Sequence, residues 1–325
     1  MNKTTAIVIV THNSAAEVDS CLRAIQEQVW NVASTSTEVV VVDNDSTDNT
    51  CEVVETRAPW AKLIRNNSNR GFAAAVNQGV RATRSPLVLL LNPDANLENG
   101  IQALAAAFDS AEVGAAGGKL VDSSGEWQRG FNIRSFPTPA AFAYEALLVN
   151  RVFPRNAVNR QYRQLDVDPT REQEVDQPAG AFLMFRRAIW EKLGGLDEAF
   201  YPLWFEDVDF CLRVKRAGYR ILYIPNAVAR HAGAHSIRSV SLQFRQVAWY
   251  GSFLQFCNKH FSAGTRRGLQ AATAAGLCLR WGACCLGAGD RYERRAYGSA
   301  LKRVMGSQAA RDVTPNVART SIVES

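Results

Sequence analysis

The chain has 325 residues, of which 47% are hydrophobic and 21% are charged, which is typical of a globular protein and excludes a disordered or fibrous chain. Its seven cysteines form no CxxC pair, which argues against a zinc ribbon, and their odd number fits reduced thiols in a cytosol. The apolar run from Ala6 to Val10 is too short for a signal-peptide core and predicts a buried strand.

The net charge of +6 is confined to the C-terminal fifth of the chain. From Lys259 onward there are 11 basic and 4 acidic residues, whereas the preceding residues include 26 basic and 27 acidic ones. This asymmetry indicates an anionic surface near the tail, either a membrane or a nucleic acid. The neutral main body argues against a nucleic-acid-binding module. A solvated basic face packed on the domain remains the alternative.

The first third of the chain alternates apolar strands with helices. Strands are predicted at residues 6–11, 39–42, 62–65 and 87–91, and helices at 15–28, 51–57 and 72–82. Buried strands separated by helices predict an α/β fold with a mostly parallel sheet flanked by helices. Ligands of such sheets bind beyond the carboxyl ends of the strands.

The second half is less regular. Residues 134–178 are polar, contain five prolines and predict a long excursion or mobile loop. Regular structure is predicted for residues 180–193, followed by a helix, a strand and an aromatic-rich helix at 205–217, 220–224 and 242–260. Residues 268–289 are apolar but small, with Arg280 in the middle, which costs about 2.5–3.5 kcal/mol in a membrane span. We therefore expect a packed or interfacial helix there, and a frayed end over the last 20 residues.

Polar clusters follow three of the predicted strands, at residues 11–13, 43–46 and 92–94. The cluster that begins at Asp43 either caps the next helix or offers a carboxylate to a base or ribose. Asp94 is either a cap or an oxygen ligand for Mg²⁺ or Mn²⁺. Arg70 and Gly71 open a small-residue helix, which is either an anion-binding helix start or a tight turn with a satisfied arginine.

Three carboxylates fall within four residues at the start of a predicted helix: Glu206, Asp207 and Asp209. The helix dipole alone favours acids there, but a general base also suits the position. Trp204 beside them offers a flat face for a sugar ring. His231 and His235 follow the last predicted strand and are either structural or contacts for a metal or phosphate.

The order of these motifs is more informative than any one of them. IVIVTHNS, VVDNDSTD, NRGFAAAVNQG, LLLNPDA, GAFLMFRR and GGLDEAFYPLWFEDVDFCLRVKRAGYRILYIPNAVARH together resemble family 2 glycosyltransferases, over roughly residues 5–260. More narrowly they resemble the bacterial rhamnosyltransferase-like branch that builds O-antigen, exopolysaccharide or cell-wall linkers. The resemblance implies a GT-A fold over residues 1–240, with a nucleotide half of about 1–118 and an acceptor half of about 119–240. A helical basic extension that could associate with a membrane follows at 241–325.

The resemblance also implies roles for individual residues. Those expected at the nucleotide sugar are Thr11, Asn13, Asp43, Asn44, Ser46, Arg70, Gly71, Asn77, Asn92 and Asp94. Asp94, the last position of the family's metal-binding DXD motif, and His231 are expected to hold Mg²⁺ or Mn²⁺. Asn92 departs from that motif, in which many relatives have an acid, so a weaker metal site is expected. Asp207 matches the catalytic base, and Gly180, Trp204 and Glu206 are expected on the acceptor side.

The implied activity is transfer of a sugar, with inversion, from a nucleotide diphosphate sugar. The first candidate for this donor is dTDP-rhamnose, and the second is a UDP-sugar. The acceptor would be a glycan or a polyprenyl-diphosphate-linked saccharide, and the protein would be cytoplasmic and peripheral at the inner face of the plasma membrane. A sugar nucleotidyltransferase is an alternative, although its usual basic, glycine-rich loop is replaced here by residues 11–14. A non-catalytic binding protein of the same fold is another, against which the intact set of Asp43, Asp94, Asp207 and His231 argues.

Overall fold

The computed structural model describes residues 4–30, 37–233 and 240–306. In these residues nine strands form one mixed sheet: β1 Thr5–Thr11, β2 Thr37–Asn44, β3 Lys62–Asn66, β4 Leu87–Leu91, β5 Ala95–Asn99, β6 Val113–Val121, β8 Gln173–Glu174, β10 Phe182–Arg186 and β11 Arg220–His231. Their order is β3-β2-β1-β4-β10-β6-β11-β5, with β8 beside β11. A separate pair joins β7 Ile133–Arg134 to β9 Gln177–Pro178.

Twelve helices accompany the sheet in the described ranges. They are α1 Ala15–Trp30, α2 Thr50–Arg57, α3 Phe72–Arg81, α4 Ile101–Ala107, α5 Pro139–Ala146, α6 Val149–Val152, α7 Ala157–Tyr162, α8 Arg187–Lys192, α9 Glu206–Arg216, α10 Leu242–His260, α11 Ala263–Cys285 and α12 Arg291–Met305. Alternate residues of β1 face opposite layers, so Ile7 and Ile9 pack with α1, α2 and α4, whereas Val8 packs with α3, α8 and α9. This explains the uninterrupted apolar sequence of the strand.

One edge of the sheet collects the functional candidates. β1, β2, β3 and β4 are parallel, β10 runs antiparallel to β4 and β6, and β11 is parallel to β6. The carboxyl ends of β1, β2, β4, β6 and β11 therefore lie at the same edge as the start of β10. We call this the carboxyl edge. The predicted α/β class with a mostly parallel sheet is confirmed.

Several elements differ from the predictions. β2 runs to Asn44, so Asp43 belongs to the strand and the turn begins only at Asp45. β11 extends seven residues beyond the predicted end, to His231. Residues 134–178 contain α5, α6 and α7 in place of one long loop, and α12 was not predicted. The predicted frayed end lies almost wholly outside the described residues.

The central strand β6 was also missed, because its sequence VGAAGGKLV carries few residues that favour strands. Two of its glycines are required because neighbouring residues pack directly against the strand. A Cβ on Gly117 would lie 2.2 Å from Pro178 Cβ, and one on Gly118 would lie 2.1 Å from Phe182 Cε1. Only glycine lets the neighbouring chain approach this closely.

The C-terminal helices pack onto the sheet domain through an aromatic cluster. Phe142 of α5 meets Phe253 of α10 and Phe205, with ring centroids 4.7 and 5.9 Å apart. The Arg280 guanidinium of α11 donates to the carbonyl oxygens of Ala146 and Glu145 at 2.8 and 3.2 Å. Within the described part of the chain, no helix combines the length and apolarity needed to cross a membrane.

Candidate active site

A hydrogen-bond network fixes Asp43 at the carboxyl edge. Its Oδ1 accepts from Thr11 Oγ1 at 3.0 Å and from Ser46 Oγ at 2.5 Å, and its Oδ2 accepts from the Ser46 amide at 3.0 Å. Ser46 Oγ in turn accepts from the Asn13 amide at 2.9 Å. Four of the predicted nucleotide-site residues thus form one network, with the Asp43 carboxylate held in a single orientation and only 3% exposed.

Asn44 connects the end of β2 to the turn before α3. Its side chain donates to Asn69 Oδ1 and accepts from the Arg70 amide, both at 3.0 Å. Gly71 has a φ of +83°, and a Cβ there would lie 2.7 Å from Tyr201 Cδ2, so both conformation and space require glycine. The Arg70 side chain is exposed beside this turn.

Asn77 is held by hydrogen bonds within the protein. It is buried, and its amide donates to Leu196 O at 2.8 Å and Glu198 Oε1 at 2.9 Å. Its Oδ1 accepts from Trp190 Nε1 at 3.1 Å and from the Leu196 amide at 2.9 Å. These bonds satisfy both amide protons and both lone pairs. Asn77 thereby anchors residues 190–198 to α3, and its place at the nucleotide sugar stays a prediction.

Asp94 and His231 face each other where β4 and β11 end. Asp94 Oδ1 lies 3.4 Å from His231 Nε2, and the two residues are 8% and 3% exposed. Asn92, two residues before Asp94, donates its backbone amide to Ala181 O at 3.0 Å, which joins this loop to the start of β10. His235 lies outside the described residues.

Gln128 determines which nitrogen of His231 carries the proton. Gln128 Nε2 donates to the His231 carbonyl at 2.7 Å, which fixes the amide so that Oε1 faces His231 Nδ1 at 3.0 Å. An acceptor at that position requires the proton on Nδ1. In the neutral ring the Nε2 lone pair is therefore directed toward the Asp94 carboxylate.

Two electron-rich groups that face each other in a buried position suit a divalent cation. Imidazole nitrogen and carboxylate oxygen are both ligands of Mn²⁺, and carboxylates also suit Mg²⁺. In the described part of the chain no third His, Cys, Asp or Glu completes a metal cluster. The residues therefore fit a metal that takes its remaining ligands from water or substrate oxygens, and the weak site expected from Asn92 stays a prediction.

The carboxylate of Asp207 is held at the same edge. Its Oδ2 accepts from the Gly180 amide at 2.9 Å and from Gln177 Nε2 at 3.3 Å. A Cβ on Gly180 would lie 2.9 Å from Asp207 Cβ, so the missing side chain makes this contact possible. Burial raises the pKa of Asp207, although these backbone hydrogen bonds oppose the shift.

Glu206 differs from Asp207 in its hydrogen bonding. It is 6% exposed, and its Oε2 has no hydrogen-bond partner. Burial, reinforced by the adjacent charge of Asp207, raises the pKa of Glu206 well above its usual range. The Asp207 carboxylate, in contrast, accepts the Gly180 and Val208 amides, which oppose the effect of burial on its pKa.

The turn before this pair is strained. Trp204 and Phe205 have φ values of +76° and +71°, a region that costs about 1–3 kcal/mol for bulky residues. Phe205 is held there by Phe256, with ring centroids 5.5 Å apart, and Trp204 packs against the same aromatic cluster. The C-terminal helices thereby position the acid pair.

The segment after β6 carries functional candidates that the sequence analysis missed. Phe131 stacks on the His231 ring with centroids 5.3 Å apart and an interplanar angle of 9°. The Arg134 guanidinium lies 5.8 Å from the Phe131 ring, and its charge lowers the pKa of Asp207. With Gln128, these residues escaped notice because β6 was not predicted. A prediction of a strand at residues 113–121 would have placed these three residues at the carboxyl edge.

The sheet order and the acids at its carboxyl edge define a GT-A glycosyltransferase. The model of the family Glycosyl transferase family 2 matches residues 6–193, which is more than half of the chain. The protein therefore belongs to this family.

Its relatives include rhamnosyltransferases. The N-acetylglucosaminyl-diphospho-decaprenol L-rhamnosyltransferase of Mycobacterium tuberculosis is 28% identical over 245 residues, which cover 71% of this chain and 76% of the relative. Rhamnosyltransferase WbbL of Escherichia coli K12 is 24% identical over 176 residues, 53% of this chain and 62% of the relative. The chain is thus a rhamnosyltransferase-like member of the family.

Solved structures show the same fold at low identity. The mannosyltransferase PcManGT from Pyrobaculum calidifontis, in complex with GDP-Man and Mn²⁺, superposes with a TM-score of 0.56 at 19% identity, covering 95% of this chain and 89% of that one. TarS 1-349 of S. aureus in complex with UDP-GlcNAc superposes with a TM-score of 0.50 at 18% identity, covering 93% of this chain and 81% of that one.

Proposed function

We propose that the protein is an inverting glycosyltransferase of cell-surface polysaccharide synthesis. It moves a sugar, rhamnose in the first instance, from a nucleotide diphosphate sugar to a hydroxyl of a glycan or lipid-linked saccharide. The observation that carries this proposal is the acid pair at the carboxyl edge, in which the Gly180 amide orients the Asp207 carboxylate at 2.9 Å beside the buried Glu206. The rhamnosyltransferase relatives support the choice of sugar.

The Asp43 network is the proposed site for the nucleotide. Its fixed carboxylate is suited to accept an N–H of a pyrimidine ring, as in dTDP-rhamnose or a UDP-sugar. The exposed Arg70 guanidinium beside the adjacent turn suits an anionic diphosphate.

Asp207 is the proposed general base. Its Oδ2 takes the proton of the acceptor hydroxyl, and the acceptor oxygen attacks the anomeric carbon from the face opposite the diphosphate. The bond from that carbon to the diphosphate oxygen breaks, and the configuration inverts. Because burial raises the pKa of Asp207, its carboxylate is a stronger base than an exposed aspartate. Gly180, Trp204 and Glu206 are the proposed acceptor-side residues.

Asp94 and His231 are the proposed holders of Mg²⁺ or Mn²⁺. Bound there, the ion would neutralise the negative charge of the departing diphosphate. The solved GT-A neighbour crystallised with GDP-Man and Mn²⁺ supports a divalent cation in this fold.

The lipid-linked acceptor and the location are proposed together. The name of the mycobacterial relative includes a diphospho-decaprenol, which supports a polyprenyl-diphosphate-linked acceptor at the inner face of the plasma membrane. The proposed division is a glycosyltransferase domain at residues 1–240, with nucleotide and acceptor halves meeting near residue 118, and a basic extension at 241–325.

Replacing Asp207 by Asn tests the assignment. Sugar transfer is expected to fall by about 10²–10⁴-fold, because general base catalysis contributes that much, while the affinity for nucleoside diphosphate in calorimetry stays unchanged. Asp168→Asn, at an exposed aspartate, is the matched control and is expected to transfer at the normal rate. Full transfer activity in Asp207→Asn would contradict the assignment, and NMR of the product's anomeric proton tests the inversion directly.

A further inference from the structure

Exposed apolar side chains gather on one part of the surface. Of nine large apolar side chains that are exposed in the described residues, seven fall within residues 147–153 and 279–292: Leu147, Val152, Phe153, Leu279, Trp281, Leu286 and Tyr292. We call these seven the docking surface. Leu286 is 91% exposed and Val152 is 67% exposed, so neither contributes to the core.

The two segments belong to neighbouring helices. Arg280 of α11 donates to the carbonyl oxygens at the end of α5, and a Cβ on Gly276 would lie 1.9 Å from Ala146 O. Leu147 directly follows this contact on one side, and Leu279 and Trp281 adjoin Arg280 in the chain on the other. The contact therefore brings Leu147 close to this part of α11, and the other members of the docking surface follow within a few residues along the chain.

The surroundings of the docking surface are basic. Its exposed arginines are Arg151, Arg155, Arg291, Arg294 and Arg295. Of the acids nearest in sequence, Glu145 pairs with Arg163 at 3.5 Å, and Asp290 and Glu293 form the capping box that begins α12. The last two turns of α11 carry no charge except that of Arg280, whose guanidinium is committed to α5.

We propose that the docking surface binds the face of an anionic lipid bilayer. Large apolar and aromatic side chains ringed by arginines match the boundary between acyl chains and acidic headgroups. A second copy of the chain is disfavoured, because two such surfaces would bring their arginines together. A nucleic acid would leave the exposed leucines and valine without a partner.

The position of the surface suits the proposed lipid-linked acceptor. Phe142 of α5 touches Phe205, which directly precedes the acid pair, and Leu147 of the docking surface comes five residues later. Five helical residues span only about 8 Å. Binding to lipid does not depend on the proposed function, and it is measured without donor or acceptor.

Co-sedimentation of the full-length chain with vesicles tests the proposal. We expect binding to vesicles of phosphatidylcholine mixed with phosphatidylglycerol, and much weaker binding to phosphatidylcholine alone. Phe153→Ser and Leu286→Ser are each expected to lower the partition coefficient by about tenfold or more, since each removes a large apolar group from the interface. Met305→Ser is the matched control, because Met305 is also 67% exposed but lies outside the surface.

Two arginine variants distinguish specific docking from general electrostatic adsorption. Arg295→Gln is expected to weaken binding to the anionic vesicles about fivefold, whereas Arg171→Gln, at an exposed arginine elsewhere, leaves it unchanged. Binding that both arginine variants weaken equally, and that the two serine variants leave intact, would overturn the proposal. A dimer in sedimentation velocity that Phe153→Ser dissociates, without vesicle binding by the parent chain, would overturn it in favour of self-association.

Discussion

Gln128 orients His231, one of the two proposed metal ligands. Its two hydrogen bonds place the proton of His231 on Nδ1, and Phe131 covers the ring face, so Nε2 remains directed at Asp94. Groups that orient a metal-binding histidine in this way typically account for 10–100-fold in metal affinity. Gln128 therefore belongs to the site although it would not touch the metal.

The variant Gln128→Leu keeps the approximate size of the side chain but removes both hydrogen bonds. We expect Mn²⁺ affinity in the presence of nucleoside diphosphate, measured by electron paramagnetic resonance, to fall about 10–100-fold. Nitrogen-15 NMR of the histidines should show that the Nδ1–H form of His231 is no longer favoured. Gln161→Leu, at an exposed glutamine, is the control, and equal Mn²⁺ affinity in both variants would rule out the positioning role.

Arg134 sets the pH at which Asp207 becomes a base. Burial raises the pKa of Asp207, and the Arg134 charge partly offsets that shift. Arg134→Gln should therefore raise this pKa further and move the acidic limb of the kcat/KM profile to higher pH. The Arg134→Gln variant would lose activity at low pH and keep it at pH values well above the acidic limb. Arg171→Gln should leave the limb in place, and an unmoved or lowered limb in Arg134→Gln would contradict the assignment.

At the scale of elements, β6 shows how packing overrides local preference. Its small residues do not favour a strand, yet the strand lies in the middle of the sheet between β10 and β11. Close approach of Pro178 and Phe182 selects glycine at positions 117 and 118, and pairing on both sides supplies the stability that the side chains lack. The propensities of these residues could not reveal that arrangement.

Gly117→Ala tests this account of β6. The added methyl group would lie 2.2 Å from Pro178 Cβ, and overpacking of this kind costs about 1–3 kcal/mol of unfolding free energy, measured by urea denaturation. Gly264→Ala in α11 meets nothing within 4 Å and is expected to be neutral or slightly stabilising. Similar free energies of unfolding for both variants would mean that the sheet can widen at β6.

At the scale of the whole molecule, Asp209 joins the catalytic helix α9 to α10. Its side chain is fully buried and contacts Arg213 at 2.7 Å, Lys259 at 2.8 Å and His260 at 2.7 Å. Burial alone would raise the pKa of Asp209, but the hydrogen bonds from His260 and Lys259 and the charge of Arg213 outweigh it and lower the pKa to about 2. The third acid of the sequence cluster is therefore structural.

The lowered pKa predicts how stability depends on pH. A carboxyl group with a depressed native pKa stabilises the fold above its unfolded pKa of about 3.9, and that contribution is lost as the pH falls through 2. Asp209→Asn should cost about 3 kcal/mol at pH 7, because it leaves buried cations without a counter-charge. In urea denaturation the difference from the parent chain should shrink by about 2 kcal/mol between pH 4 and pH 2. Glu172→Gln, at an exposed glutamate, should show no such pH-dependent difference.

The amino-acid sequence by itself determined the class of fold and the family. Buried strands alternate with helices in the first third, and polar residues follow each strand, so parallel pairing brings Thr11, Asp43 and Asp94 to one edge. The motif order indicated the family, and the acidic start of α9 makes Asp207 a candidate. The predictions of fold and family succeeded because they rest on local patterns whose spatial consequence is fixed by strand geometry.

Only the tertiary structure decided how those residues are prepared. The orientation of Asn77 depends on four hydrogen bonds with Trp190, Leu196 and Glu198, all over a hundred residues away in the chain. The raised pKa of Glu206 and the tautomer of His231 follow from burial and from Gln128, which no local pattern encodes. The docking surface forms only when α5 meets α11. Each of these properties depends on contacts between distant segments, and such contacts exist only once the chain has folded.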